Sequence, residues 1–251
     1  MTWLWKLERK FGRYAIHHLV KYLTIANAAA LIVLFVLSRT APEAAAWLYN
    51  TLALIPSRLL QGEVWRLFTF VLLPENLDPL WGALTLYFFY FIGTSLENSW
   101  GAFKFNVYYL IGVVGTILGA VLVALLSPSF ASTTALYLNL SLLLAFATLF
   151  PDHQIMLFFF IPVKMKWLGL VYAAFVLWTV VSSLLFGNWG MAVAPVVSLL
   201  NYLLFFGRDL LKVVHLRRRV SNNRRKFFDE INRANLEREQ RQKHDSNIRR
   251  F

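Results

Sequence analysis

The stretch KFNVYYLIGVVGTILGAVLVALL, residues 104–126, decides the fold class, because its only charged residue is Lys104 at its start. A helix needs about 20 mostly apolar residues to cross the roughly 30 Å of hydrocarbon in a bilayer. The whole chain has the same character, since 58% of its residues are hydrophobic and only 15% are charged. Such a composition is too apolar for a surface that faces water. The sequence therefore predicts an all-α, polytopic integral membrane protein.

Six apolar stretches are long enough to be spans, and breaks containing Pro, Asp, Asn, Gly or Lys separate them. The predicted spans are about 22–38, 79–98, 104–126, 132–150, 166–186 and 189–206. We therefore expect a basic amphipathic N-terminal segment at 1–21, a six-span membrane domain at 22–206 and a basic cytoplasmic tail at 207–251. The first connection, 39–78, is rich in Leu, Trp and Tyr, which predicts short helices lying in the headgroup layer.

The net charge of +12 is concentrated at the two ends of the chain. Residues 1–21 hold five Lys or Arg and one Glu, whereas residues 207–251 hold fourteen Lys or Arg and six Asp or Glu. Basic flanks on both sides of a membrane domain are typical of cytoplasmic termini. Attraction of about 1 kcal/mol per basic residue to anionic lipid accounts for such clusters. Membrane lipid is therefore an expected partner, and nucleic acid is not.

Two motifs beside the predicted spans resemble those of the rhomboid superfamily, which includes the derlins. The stretch GEVWRLFT, with Trp65 and Arg66, is similar to the Trp-Arg motif of the first extracytoplasmic loop. The stretch GTSLENSWG is similar to the GxxxExxxG motif at the end of the second span, with Gly93, Glu97 and Gly101 in its fixed positions.

Phe150-Pro151 and the stretch FIPVKMKW at 160–167 continue this resemblance, which runs in order from about residue 20 to residue 206. It implies a rhomboid-like six-helix transmembrane bundle with a membrane-associated first loop. A charge at the centre of a span costs about 2.5–3.5 kcal/mol, so the position of Glu97 near a helix end is the expected one. The neighbouring glycines at four-residue spacing predict close helix packing, as do Gly115 and Gly119.

The resemblance also identifies the positions at which a rhomboid protease carries its catalytic groups. These enzymes use a Ser-His dyad, and a His and an Asn of the second span help to hold the oxyanion. The family spacing places Trp81 and Thr85 at the oxyanion positions, Leu136 at the nucleophile and Pro195 at the base. The nearest serine deeper in the fourth predicted span is Ser141, which has no flanking glycine.

The distribution of histidines leads to the same expectation without an alignment. His17, His18, His153, His215 and His244 all lie in terminal segments or predicted cytoplasmic connections. A His-based dyad inside the membrane is therefore not expected. Nor do we expect a cofactor or a metal, because the chain has no cysteine and Asp152-His153 is an isolated pair typical of a solvated turn.

Three functions remain open. The preferred prediction is a rhomboid-like pseudoprotease that binds or holds the transmembrane helices of client proteins without cleaving them. The alternatives are an intramembrane serine-type endopeptidase with an unorthodox site, and a scaffold whose basic tail binds anionic lipid, RNA or an acidic partner. The absence of a recognisable targeting or retention signal favours a bacterial plasma membrane, the inner membrane. The oligomeric state is not predicted.

Overall fold

A computed structural model describes residues 2–126, 135–157, 161–187 and 192–207. Ten α-helices and two β-strands lie in these ranges, together with 3-10 helices at Gly12–Tyr14 and Phe70–Leu72. They are α1 (Thr2–Phe11), α2 (Leu19–Thr40), α3 (Pro42–Leu52), α4 (Pro56–Leu60), α5 (Arg66–Thr69), α6 (Pro79–Trp100), α7 (Ala102–Leu126), α8 (Leu136–Leu149), β1 (Gln154–Leu157), β2 (Ile161–Lys164), α9 (Met165–Leu185) and α10 (Ala192–Gly207). The predicted tail lies almost entirely outside the described residues.

Four helices, namely α2, α6, α7 and α9, are long and apolar enough to cross a membrane. Helices α8 and α10 are shorter, at between 10 and 17 residues. They adjoin residues 127–134 and 188–191, which lie outside the described ranges. The protein is therefore a mostly helical, multi-pass membrane protein. Each predicted span overlaps one of these six helices, and four of the six reach spanning length in the described part of the chain.

The long helices pack closely where glycine removes a side chain. Helix α2 packs along α6, and a Cβ atom on Gly93 would lie 2.7 Å from Val20 Cγ1. Helix α7 meets α10 in the same way, because a Cβ on Gly115 would lie 2.9 Å from Val197 Cγ1. Close backbone approach through small residues is the usual packing mode of helices in lipid, where no hydrophobic effect drives them together.

One element in the described residues is not helical and was not predicted. Strands β1 and β2 form an antiparallel hairpin in which Gln154 pairs with Lys164 and Ile155 pairs with Val163. Pro162 explains why this connection is not helical, because proline removes a backbone donor and disfavours the helical conformation of the residue before it. The hairpin holds the end of α8 close to the start of α9.

The first connection folds into three short helices, α3, α4 and α5, as its composition predicts. It is anchored to α2 by a small apolar core that contains Leu34, Ala53 and Leu73. The next helix, α6, begins where Asp78 Oδ1 accepts hydrogen bonds from the amides of Leu80 and Trp81, both at 3.0 Å. This is a favourable N-terminal cap, and the proline at the first helical position supports it.

Candidate functional site

The Trp-Arg motif closes the C-terminal end of α3. Arg66 is fully buried and donates hydrogen bonds to the carbonyls of Asn50 and Ala53, the latter at 2.6 Å. Trp65 Nε1 donates to the Thr51 carbonyl at 3.2 Å, and Thr69 Oγ1 donates to the Leu52 carbonyl at 2.8 Å. Three side chains thus satisfy four consecutive carbonyls, 50–53, at the end of the helix.

This arrangement explains why an arginine is needed. The last carbonyls of a helix have no partner within it, and the helix dipole places partial negative charge there. The planar guanidinium reaches two of these oxygens and also forms an ion pair with Glu63, whose Oε2 accepts from Arg66 Nε at 2.6 Å. In the described chain, Trp65 and Arg66 therefore organise the first connection.

Glu97, the acid predicted within a span, binds the beginning of the first long helix. Its Oε1 accepts a hydrogen bond from the backbone amide of His18 at 2.5 Å. His18 immediately precedes α2 and has a left-handed backbone with φ of 59°. A carboxylate beside a helix N-terminus is favoured by the helix dipole. Nearby, Asn106 Nδ2 donates to the carbonyl of Ile16 at 3.1 Å.

The two glycines that flank Glu97 have different roles. Gly93 allows α2 to approach α6, as described above. Gly101 has open space where a Cβ would be, and its φ of 84° is a conformation that residues with a side chain rarely adopt. The expectation that Gly101 serves helix packing is therefore wrong, because this glycine instead provides the sharp connection between α6 and α7.

The four positions that the resemblance to rhomboid proteases assigns to catalytic groups lie on three helices. Trp81 is in the first turn of α6, and Thr85 follows one turn later and donates from Oγ1 to the Trp81 carbonyl at 2.8 Å. Leu136 is the first residue of α8. Pro195 is buried in α10. None of these four side chains is a nucleophile paired with a base.

Ser141 is held as a structural residue inside α8. It is fully buried, and its hydroxyl donates to the Leu138 carbonyl at 2.7 Å while accepting from Tyr108 at 3.0 Å. A serine becomes a nucleophile only when a base can remove its proton. In the described ranges no His or Lys is hydrogen-bonded to Ser141, so this serine has neither the base nor the exposure that attack requires.

A further feature, which the sequence did not indicate, is a cavity of about 270 Å³ between α6 and α8. Its walls are mainly apolar and are completed by Ile155 of β1 and Leu168 of α9. The α6 and α8 side chains at its walls include Phe88, Phe89, Ile92, Leu140 and Leu143. Glu75, Thr85 and Asn139 supply its polar groups. We name this feature the α6/α8 cavity.

Glu75 dominates the chemistry of the α6/α8 cavity. Asn139 Nδ2 donates to Glu75 Oε1 at 2.8 Å, and Tyr109 of α7 also faces the carboxyl group. Burial raises the pKa of Glu75 above its ordinary value, and the hydrogen bond from Asn139 offsets only part of this effect. Within the described ranges, Glu75 forms no ion pair. Sequence reasoning missed this residue because it lies outside the predicted spans, in a stretch that is typical of a turn.

The Asp152-His153 pair is a turn that supports the hairpin. Asp152 lies 3.4 Å from Lys166 Nζ and 3.6 Å from Lys164 Nζ, and the hydrogen bond and charge of Lys166 lower the pKa of its carboxyl. The His153 ring lies 5.5 Å from the ring of Phe91 on α6. These contacts fix the connection between α8 and α9.

These elements define the class of the chain as a multi-pass α-helical membrane protein with a buried acid at a cavity between two of its helices. Residues 25–226 match the family described as "Eukaryotic integral membrane protein (DUF1751)", and the protein belongs to this family. No curated protein and no solved structure matches the chain.

The family assignment corrects one expectation from the sequence. The prediction of a bacterial plasma membrane is wrong, because the family is eukaryotic. That prediction depends on the lack of a recognisable targeting or retention signal in the sequence. A first span that stays in the protein can itself direct insertion, so the lack of a separate signal does not distinguish a bacterial membrane from a eukaryotic one.

Proposed function

We propose that this protein is a rhomboid-like pseudoprotease that holds transmembrane helices of other membrane proteins without cleaving them. The single observation that carries the proposal is the α6/α8 cavity. It lies between apolar helices and is lined by residues of both the second and the fourth predicted spans. Helices α6 and α9 each pack near α8 but do not pack closely on one another. A membrane-embedded segment could approach the cavity between them.

The groups around the cavity favour binding over proteolysis. Thr85 lines the cavity, and its hydroxyl donates a hydrogen bond to the Trp81 carbonyl within α6. Ser141 is buried beside Tyr108. Acyl transfer needs a nucleophile, an adjacent base and positioned donors for the oxyanion, and these side chains do not form such a set.

The rest of the proposed topology follows the charge pattern. Both termini are cytoplasmic, and residues 22–206 form a six-span membrane domain between the basic segments 1–21 and 207–251. Membrane lipid surrounds this domain. Helix α1 lies at the membrane surface in this topology. It carries Lys6, Arg9 and Lys10 together with the exposed aromatic side chains of Trp5 and Phe11, a combination typical of surface helices.

The test is to reconstitute the full-length protein in liposomes with a fluorescent single-span helix and to measure binding and cleavage together. We expect saturable energy transfer between labelled protein and helix, with no new fragment on a gel. Ser141→Ala should change neither result. A fragment that forms with the wild-type protein and disappears with Ser141→Ala would overturn the proposal in favour of the unorthodox protease.

A further inference from the structure

The α6/α8 cavity has an unusual distribution of polar groups. Asn139 uses its Nδ2 donor on Glu75, and Thr85 uses its hydroxyl proton on the Trp81 carbonyl. Asn139 Oδ1 is buried and accepts no hydrogen bond, and nothing in the described ranges donates to Glu75 Oε2. The polar end of the cavity therefore presents two acceptor atoms that receive no hydrogen bond in the described ranges, although the Tyr109 phenol also faces the carboxyl group.

The charge at this end is also uncompensated. The ion pairs in the part of the chain that the structure describes involve Glu8, Glu63 and Asp152, and none involves Glu75. An acid removed from water is costly unless a cation or hydrogen-bond donors accompany it. Burial disfavours the ionised form of Glu75, so a positively charged donor in the cavity would stabilise that form.

The dimensions of the cavity restrict what that partner can be. Pockets that enclose drug-sized ligands have volumes of roughly 300–1,000 Å³, and the cavity is smaller at about 270 Å³. This volume suits one long side chain. Lys and Arg combine an apolar stem with a charged head and commonly bury the stem along apolar surface. Phe88 and Leu143 provide such a surface beside Glu75.

We propose that the α6/α8 cavity recognises a Lys or Arg side chain within the transmembrane helix of a client protein. The stem lies along the aromatic and leucine side chains of α6 and α8, and the charged head binds Glu75 Oε2 and Asn139 Oδ1. This inference rests on the proposed function and adds the class of helix selected. Glu75 lies four residues before the start of α6, so the basic residue lies near one end of the client's apolar segment and gains a counter-ion there.

The experiment uses the full-length protein in liposomes, with the photoreactive residue p-benzoylphenylalanine in place of Phe88. Three single-span peptides differ at one position near the end of the apolar segment, where they carry Lys, norleucine or Glu. We expect the Lys peptide to crosslink with a yield about tenfold above that of the norleucine peptide, which corresponds to about 1.4 kcal/mol. The Glu peptide should crosslink least, because it places a second acid beside Glu75.

Two variants connect this preference to the acid. Glu75→Gln retains an acceptor for Asn139 and should abolish the preference for Lys, whereas Glu43→Gln, a change on the exposed surface of α3, should not alter it. The three peptides are also compared on the wild-type protein, and that comparison does not depend on whether either variant folds.

The other outcomes are distinct. Equal crosslinking of all three peptides, unaffected by Glu75→Gln, overturns the selection of basic residues and leaves helix binding intact. Crosslinking of no peptide overturns the proposed function as well. A lipid could also be the ligand. If an amine-containing lipid copurifies with the wild-type protein but not with Glu75→Gln, and the peptide yields are equal, the proposal is overturned and the cavity is assigned to lipid.

Discussion

The backbone amide of His18 donates a hydrogen bond to the carboxylate of Glu97, although 79 residues separate them. This contact joins the start of α2 to the last turn of α6, on the side of the molecule where Lys104 of α7 forms an ion pair with Glu8 at 3.8 Å. A buried carboxylate that accepts from a helix N-terminus is stabilised by both the hydrogen bond and the helix dipole. The N-terminal segment is therefore fixed to the membrane helices at several points.

Replacement of Glu97 should loosen this connection. Glu97→Ala removes an acceptor whose hydrogen bond contributes roughly 1.5–3 kcal/mol, and we expect a loss of that order in the free energy of unfolding. Glu97→Gln keeps a neutral acceptor and should cost less. Thermal unfolding in detergent measures the stability, and limited proteolysis near residues 12–18 measures the loosening. Ser99→Ala, at an exposed position on the same helix, is the control. Equal stability of Glu97→Ala and this control would contradict the assignment.

Replacement of Arg66 tests the structural role of the Trp-Arg motif. Arg66→Met leaves Glu63 and the carbonyls of Asn50 and Ala53 without their donor, and breaking a buried ion pair in this way costs roughly 3–5 kcal/mol. Arg66→Lys should also destabilise the fold, because an ammonium group cannot reproduce the planar array of donors. Chemical or thermal unfolding of the purified variants provides the measurement.

The matched control for Arg66 is Arg58, which lies exposed on α4 in the same connection. Arg58→Lys should change the stability by no more than about 0.5 kcal/mol, the usual range for an exposed site. If Arg66→Lys is as mild as Arg58→Lys, the guanidinium is not the group that closes the end of α3.

A glycine in α7 should tolerate no side chain. A Cβ atom on Gly112 would overlap Leu138 of α8 and would lie 2.8 Å from Asn201 Nδ2 of α10. Gly112→Ala therefore forces two helices apart, and overpacking of this kind costs roughly 1–3 kcal/mol. At Gly12 the nearest atom would be 3.8 Å from the added Cβ, so Gly12→Ala is the control. A Gly112→Ala variant that is as stable as the control would show that this contact is not tight.

The sequence predicts the long helices well because their apolar residues form continuous runs that need no knowledge of distant contacts. It also indicates the importance of Trp65 and Arg66, but not their partners, since the helix end that they close lies 13–16 residues earlier. Glu75 was missed for a similar reason. Its burial depends on Asn139, which is 64 residues away, and a Glu beside Pro74 and Asn76 is locally typical of an exposed turn.

The last prediction concerns the dependence of stability on pH. Burial raises the pKa of Glu75, so the folded protein binds this proton more tightly than the unfolded chain does. A carboxyl group of this kind stabilises the fold below its unfolded pKa, and that contribution is lost as the pH rises through the folded pKa. Asn139 and Tyr109 face the carboxyl group, and neither supplies a positive charge. Ionised Glu75 is therefore destabilising when the cavity holds no cation.

Glu75→Gln resembles the protonated carboxyl at every pH and should remove this dependence. We expect the melting temperatures of wild type and Glu75→Gln to be similar near pH 4, close to the ordinary Glu pKa of about 4.3, and to diverge in favour of the variant toward about pH 8. Melting curves recorded across this range in detergent, without added peptide, provide the measurement. Glu43→Gln on the exposed surface should follow the wild-type curve. A Glu75→Gln curve parallel to that of wild type would contradict this prediction, because a carboxyl links its proton to folding only when its pKa differs between the folded and unfolded states.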